Sequence, residues 1–159
     1  MPTNTYVANR FREVFLNGKW VANTNFKEQL SQVTLCEANY KIGNLNTIGM
    51  LTFHINYYVA GILNVFDNGK LEIRDMYSFD APPLESESDW KNLVATFIAN
   101  AERFADHIER MSEEEFHKAF VDEKYGNYLR NIDGMIEHTY YHLGQVSLIR
   151  KMIAENIKT

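Results

Sequence analysis

Four stretches of the chain carry apolar residues at three-and-four spacing, the period of a helix with one buried face. The first runs from Thr5 to Leu16 with Tyr6, Val7, Phe11, Val14 and Phe15 on its stripe, and Asn17-Gly18 ends it. The second spans Thr47 to Phe66, opened by an Asn46-Thr47 cap and closed by Asp67-Asn68-Gly69. Its stripe is Ile48, Leu51, Ile55, Tyr58, Ile62 and Phe66. The third begins at Ser86-Glu87-Ser88-Asp89, acidic where the helix dipole is positive, and continues as Trp90, Val94, Phe97, Ala101, Phe104 and Ile108. The fourth runs from about Tyr128 to Asn156 with Met135, His142, Val146, Ile149 and Ile153 facing inward.

Shorter elements separate these four. Phe26 to Val33 reads as a brief amphipathic piece. Thr34-Leu35-Cys36-Glu37 has the spacing of a capping box, and its turn closes at Gly43-Asn44. Ser112-Glu113-Glu114-Glu115 is a second capping box that opens a short helix through His117. Lys70 to Leu84 contains Pro82-Pro83 and reads as a long connection, with Leu71, Ile73 and Met76 giving it local extended character. The pattern predicts an all-α fold: a four-helix bundle with long connections and short accessory helices, in a single domain over residues 1–159. A connection as long as 70–84 can cross the bundle, so up-down-up-down order does not follow.

Composition narrows the function. The chain is 45% hydrophobic and 23% charged with a net charge of −5, and it has no Lys/Arg cluster. A duplex-binding surface needs concentrated positive charge, so nucleic acid is not an expected partner. Cys36 is the only cysteine, which rules out an intramolecular disulfide. No uninterrupted apolar run of about 18 residues and no basic-then-apolar leader occur. These features give the expectation of a cytoplasmic protein without a membrane partner.

The candidate chemistry lies in histidines. His138 and His142 stand four residues apart, so both imidazoles leave one side of the last helix, with Cβ atoms about 6 Å apart. His54 lies on the apolar face of the second long helix, beside Leu51 and Tyr58. A neutral imidazole near a core needs partners for both nitrogens. Three directed at one interior can share a cation, and the alternative is three separately hydrogen-bonded rings. An all-imidazole shell suits zinc, nickel, iron(II) or copper(II), and a three-nitrogen shell leaves at least one position open for chemistry. Tyr58, Tyr141 and Gln145 are candidate supports for the ligands. Glu137 precedes the first histidine rather than following it, so the H-E-x-x-H protease motif is absent. His107 falls off its helix's stripe and His117 lies in a charged short helix, so both read as solvent-facing. No G-x-S-x-G, phosphate-binding glycine loop or dinucleotide fingerprint occurs.

The run Ile136-Glu137-His138-x-x-x-His142-Leu143-Gly144-Gln145-Val146-x-Leu148-Ile149-Arg150-Lys151 resembles the final-helix signature of the DinB-like superfamily. Asn46-Thr47-Ile48-Gly49-Met50-Leu51-Thr52-Phe53-His54-Ile55 resembles its second-helix signature. The resemblance extends over nearly the whole chain. It implies a four-helix bundle in which His54, His138 and His142 bind a divalent metal ion, nickel or zinc. It further implies a metal-dependent hydrolase or a transferase using a low-molecular-weight thiol, acting on a small-molecule substrate, and a homodimer. A non-catalytic metal- or small-ligand-binding bundle is the other reading. Neither residues nor resemblance assign a catalytic acid or base.

Overall fold

The computed structural model describes residues 1–156. Seven α-helices are present among them: α1 (Thr3–Arg12), α2 (Phe26–Leu30), α3 (Leu35–Ala38), α4 (Ile48–Asn68), α5 (Glu87–Arg110), α6 (Glu113–His117) and α7 (Tyr128–Asn156). The described residues contain no strand, only one isolated bridge between Ala119 and Asn127. The all-helical expectation therefore holds.

The polar residues read as helix starts make their bonds. Thr34 and Glu37, Ser86 and Asp89, and Ser112 and Glu115 each close a reciprocal capping box. Each box satisfies two backbone N–H groups that a helix start otherwise leaves without partners. Thr47 caps α4 by accepting from the Met50 N–H, and Gly69 ends it at φ 70°, a conformation that costs glycine nothing. The first helix is less regular than its periodicity implies. After Arg12 it widens into a π-helical turn over Glu13–Asn17, in which the Gly18 N–H reaches back to the Glu13 carbonyl. Tyr6, expected inside, is 55% exposed, with the Arg10 guanidinium over its ring.

Helix directions follow from the side chains that meet. Asn4 bonds the Glu109 carbonyl while Phe15 packs on Phe97, so α1 and α5 are antiparallel. Arg10 pairs with Asp133 and Tyr140 with Glu13, so α1 and α7 run together. His54 meets His142 while Phe66 meets Tyr128, so α4 and α7 are antiparallel. Asn56 bonds Asn100 while Phe66 packs on Phe104, so α4 and α5 are parallel neighbours. An aromatic cluster joins α1 to α5. Phe11 stacks on Phe104 at 4.4 Å and on Phe15 at 4.2 Å, and all three are fully buried. Pairs of this kind add about 0.5–1.5 kcal/mol to the burial of each ring.

Parallel neighbours require the chain to travel back before the second can start. At about 1.5 Å per residue, the 21 residues of α4 span about 30 Å. Residues 70–86 make that return journey along α4 as a strap. The strap and helix pair off in sequence. Asn64 bonds the Lys70 carbonyl, Ile73 lies over Gly61, Tyr57 bonds Arg74, Tyr58 bonds Asp75, and His54 meets Ser78. A Cβ on Gly61 would fall 2.4 Å from Ile73 Cδ1, so glycine lets the strap lie close. The extended character expected around Leu71 to Met76 is not a strand. The strap is irregular with one 3-10 turn at Asp75–Tyr77.

Among the described residues one helix, α4, is long and apolar enough to cross a membrane by length and composition. Most of it is buried inside the protein, where it meets α5, α7 and the strap.

Candidate metal centre

His54 and His142 are each 5% exposed, and His138 is half-buried between them at the interface of α4 and α7. The helical turn from 138 to 142 sets two rings side by side, and α4 presents the third from across the interface. His142 Nε2 lies 2.8 Å from His138 Nε2, and His54 Nε2 lies 3.2 Å from the same atom. One ligand nitrogen from each residue lies within 4.8 Å of the others, close enough to hold a metal ion. Two nitrogens each about 2.1 Å from a common centre sit about 3.0 Å apart at a right angle, so both short spacings are those of co-ligands.

The protons decide what these contacts are. His54 Nδ1 lies 3.2 Å from the Ser78 carbonyl, an acceptor only, so Nδ1–H donates and Nε2 is bare. His142 Nδ1–H donates to Gln145 Oε1 at 2.7 Å, which likewise leaves its Nε2 bare. His138 Nε2 faces both. A single hydrogen there can satisfy one neighbour, and the other neighbour's lone pair is left without a donor. The donor set is thus short of protons and suited to a cation, so the three residues fit a metal ion chemically as well as geometrically.

Electrostatics agree. Burial first, then the neighbouring imidazoles of His142 and His54, push His138 down to about 4. Burial also lowers His54 and His142 from their ordinary range. All three rings are therefore neutral, and able to donate lone pairs, at pH 7. In the metal-free protein these groups bind fewer protons than the unfolded chain does below its imidazole value of about 6.5. Their stabilisation is present above that pH and lost as pH falls toward about 4. The denaturation midpoint of chelator-treated protein is expected to stay level from pH 8 to 7 and then to fall. The fall between pH 6.5 and 4 should be shallower in His138→Ala. An equal slope in the variant would contradict this.

The strap completes the surroundings. Phe79 stacks on the His54 ring at 3.9 Å and 10°. Tyr58 stands edge-on to His54 at 5.1 Å and to His138 at 5.4 Å, and its hydroxyl donates to Asp75 on the strap. The Tyr57 hydroxyl both donates to the Arg74 carbonyl and accepts from the Arg74 N–H. Two tyrosines thus latch the segment whose Ser78 carbonyl orients His54. Of the supports expected from sequence, Gln145 bonds a ligand directly and Tyr58 packs on two. Tyr141 is 65% exposed and only edges against His142. Ser78 and Phe79 were not anticipated, because a backbone carbonyl and a loop phenylalanine carry no spacing signal.

Beside His138 opens a cleft of about 400 Å³ lined by Tyr58, Ile62, Tyr125, Arg130, Asn131 and Met135, with Gly134 on its floor. Gly134 is one helical turn before His138, and a Cβ there would meet nothing within 4 Å. The missing side chain keeps the approach to His138 clear. Arg130 is the one cation in the lining and bonds the exposed Glu137 at 3.1 Å. His107 departs from expectation: it is half-buried and stacked on Phe66 at 4.2 Å, and burial lowers its pKa. His117 is exposed beside Glu113.

No protein-family model, curated protein or solved structure matches this chain.

Proposed function

We propose that this chain is a DinB-like four-helix bundle whose His54, His138 and His142 hold one divalent ion, nickel or zinc. We further propose that it is an enzyme directing water or a low-molecular-weight thiol onto a small electrophilic substrate. The observation that carries the reading is the meeting of three Nε2 atoms, two of them stripped of protons by the Ser78 carbonyl and Gln145. A bound ion would supply Lewis acidity toward the nucleophile or the substrate's carbonyl oxygen. The protein's residues do the rest. Ser78 and Gln145 hold two ring orientations, Phe79 shields His54 from water, and the cleft over Gly134 admits substrate beside His138. Ile62 and Met135 give that cleft an apolar side, and the Arg130 guanidinium can orient an electron-rich group.

A panel of esters and thiol acceptors, assayed with bacillithiol, glutathione and water, tests this. Metal-loaded protein is expected to turn over at least one pair, and His142→Ala is expected to lose that turnover while remaining helical. One observation favours the second reading, a non-catalytic metal- or ligand-binding bundle: the residues lining the cleft include no carboxylate to act as a base. Metal-loaded, folded protein that is inert across the panel would overturn the catalytic reading in favour of that one.

A further inference from the structure

A different face of α4 from the one carrying the histidines borders a second cavity of about 520 Å³, a solvent-open cleft between α4, α5 and the end of the strap. We propose that it is a metal-independent binding site for a neutral, flat, apolar small molecule carrying a primary-amide-type group that both accepts and donates hydrogen bonds. Its volume lies within the range of small-molecule sites, about 300–1,000 Å³. It shares no lining residue with the cleft beside His138.

The walls set the shape of the ligand. Phe53 of α4 and Leu93 of α5 face the cavity, and Pro82-Pro83 of the strap forms one wall of it. The proline rings have fixed φ, so this wall loses little freedom when a ligand settles against it. Asn39 donates to the Leu84 carbonyl at 2.9 Å and pins the end of the same wall.

The polar groups set its chemistry. Asn56 Oδ1 accepts from Asn100 at 2.9 Å, which leaves the Asn56 NH2 free to donate and one lone pair on its oxygen. Thr47 Oγ1 already accepts from the Met50 N–H, which leaves its O–H to donate. The Asn92 amide has no partner among the described residues. Spare donors on these side chains therefore stand beside spare acceptors, Asp89 Oδ1 among them, and together they call for a ligand group that both accepts and donates. Asp89 supplies the only formal charge in the lining. Its Oδ2 is held by the backbone N–H groups of Glu85 and Ser86 and by the Ser86 hydroxyl, so the carboxylate stays in place. A fixed negative charge disfavours an anionic ligand of the same shape.

Two isosteric probes differing in charge test the site: 2-naphthamide and 2-naphthoate, titrated into chelator-treated, isotope-labelled protein and read by amide chemical shifts. 2-Naphthamide is expected to give saturable shifts at residues 49–56 and 92–96, and 2-naphthoate to bind at least tenfold more weakly. Leu93→Trp and Thr96→Trp, which fill the cavity from one side, should each remove the shifts, and Asn56→Leu should weaken binding several-fold. Equal affinity for the two probes, no saturation, or shifts unchanged in both tryptophan variants would each overturn the proposal. Because metal is absent throughout, the outcome is independent of whether the histidines hold an ion.

Discussion

Replacing His138 by alanine is expected to lower affinity for nickel and zinc by more than about 100-fold while changing the stability of the metal-free protein by no more than about 1 kcal/mol. The loss of an outer partner to a ligand already costs roughly 10–100-fold, and His138 is itself the ring that both other imidazoles face. Its removal leaves His54 and His142 on separate helices with no nitrogen between them. The second half of the expectation comes from the same contacts. In the metal-free protein His138 is desolvated and presses its Nε2 against two others that share at most one hydrogen. Alanine relieves that crowding, and a half-buried site collapses at little cost, so stability should stay within about 1 kcal/mol. His54→Ala should behave differently. It removes the ring sandwiched against Phe79 and the donor to the buried Ser78 carbonyl, so the strap loses an attachment worth about 1–3 kcal/mol. Calorimetric titration and chelator-treated melts of the two variants separate these effects. Metal affinity in His138→Ala within a few-fold of the parent would contradict the assignment of that ring.

Addition of zinc or nickel should raise the melting temperature of the parent protein by about 5–11 °C. Binding at 100 times the dissociation constant stabilises the native state by about 2.7 kcal/mol. For a chain of this length each kcal/mol moves the midpoint by about 2–4 °C. The shift should reverse on chelation and disappear in His138→Ala. It should also shrink as pH falls below about 6, where free imidazoles compete for protons. A melt indifferent to metal and chelator would remove the ion from the account.

The parts of this architecture written in side chains were readable from the sequence. Ser86 with Asp89 and Ser112 with Glu115 name helix starts because the capping bonds belong to those residue types at that spacing. Trp90, Phe97, Phe104 and Ile108 name a buried face because only one side of α5 can meet the core. His138 and His142 converge because one helical turn separates them, and His54 joins them from the apolar face of α4. What stayed hidden is carried by backbone or by tertiary contact. The π-helical turn at Glu13–Asn17 arises inside a stretch whose periodicity still reads as a helix. Tyr6 could be inside or outside until the direction of α1 is known, and it lies outside. His107 is polar by type, yet it packs flat on Phe66 because α4 and α5 are parallel and bring their C-terminal turns together. The strap was the largest surprise. A loop of mixed polarity has no period, so its alignment along α4, and with it the placement of Ser78 and Phe79 and the cavity against Pro82-Pro83, follows only from the order of the helices.

The most direct measurement is a diffraction map of crystals soaked in nickel, recorded at the nickel absorption edge. The account predicts one anomalous peak within coordination distance, about 2.0–2.2 Å, of the Nε2 atoms of His54, His138 and His142 together. Rings turned apart with no anomalous density between them, in crystals grown with excess metal, would contradict it.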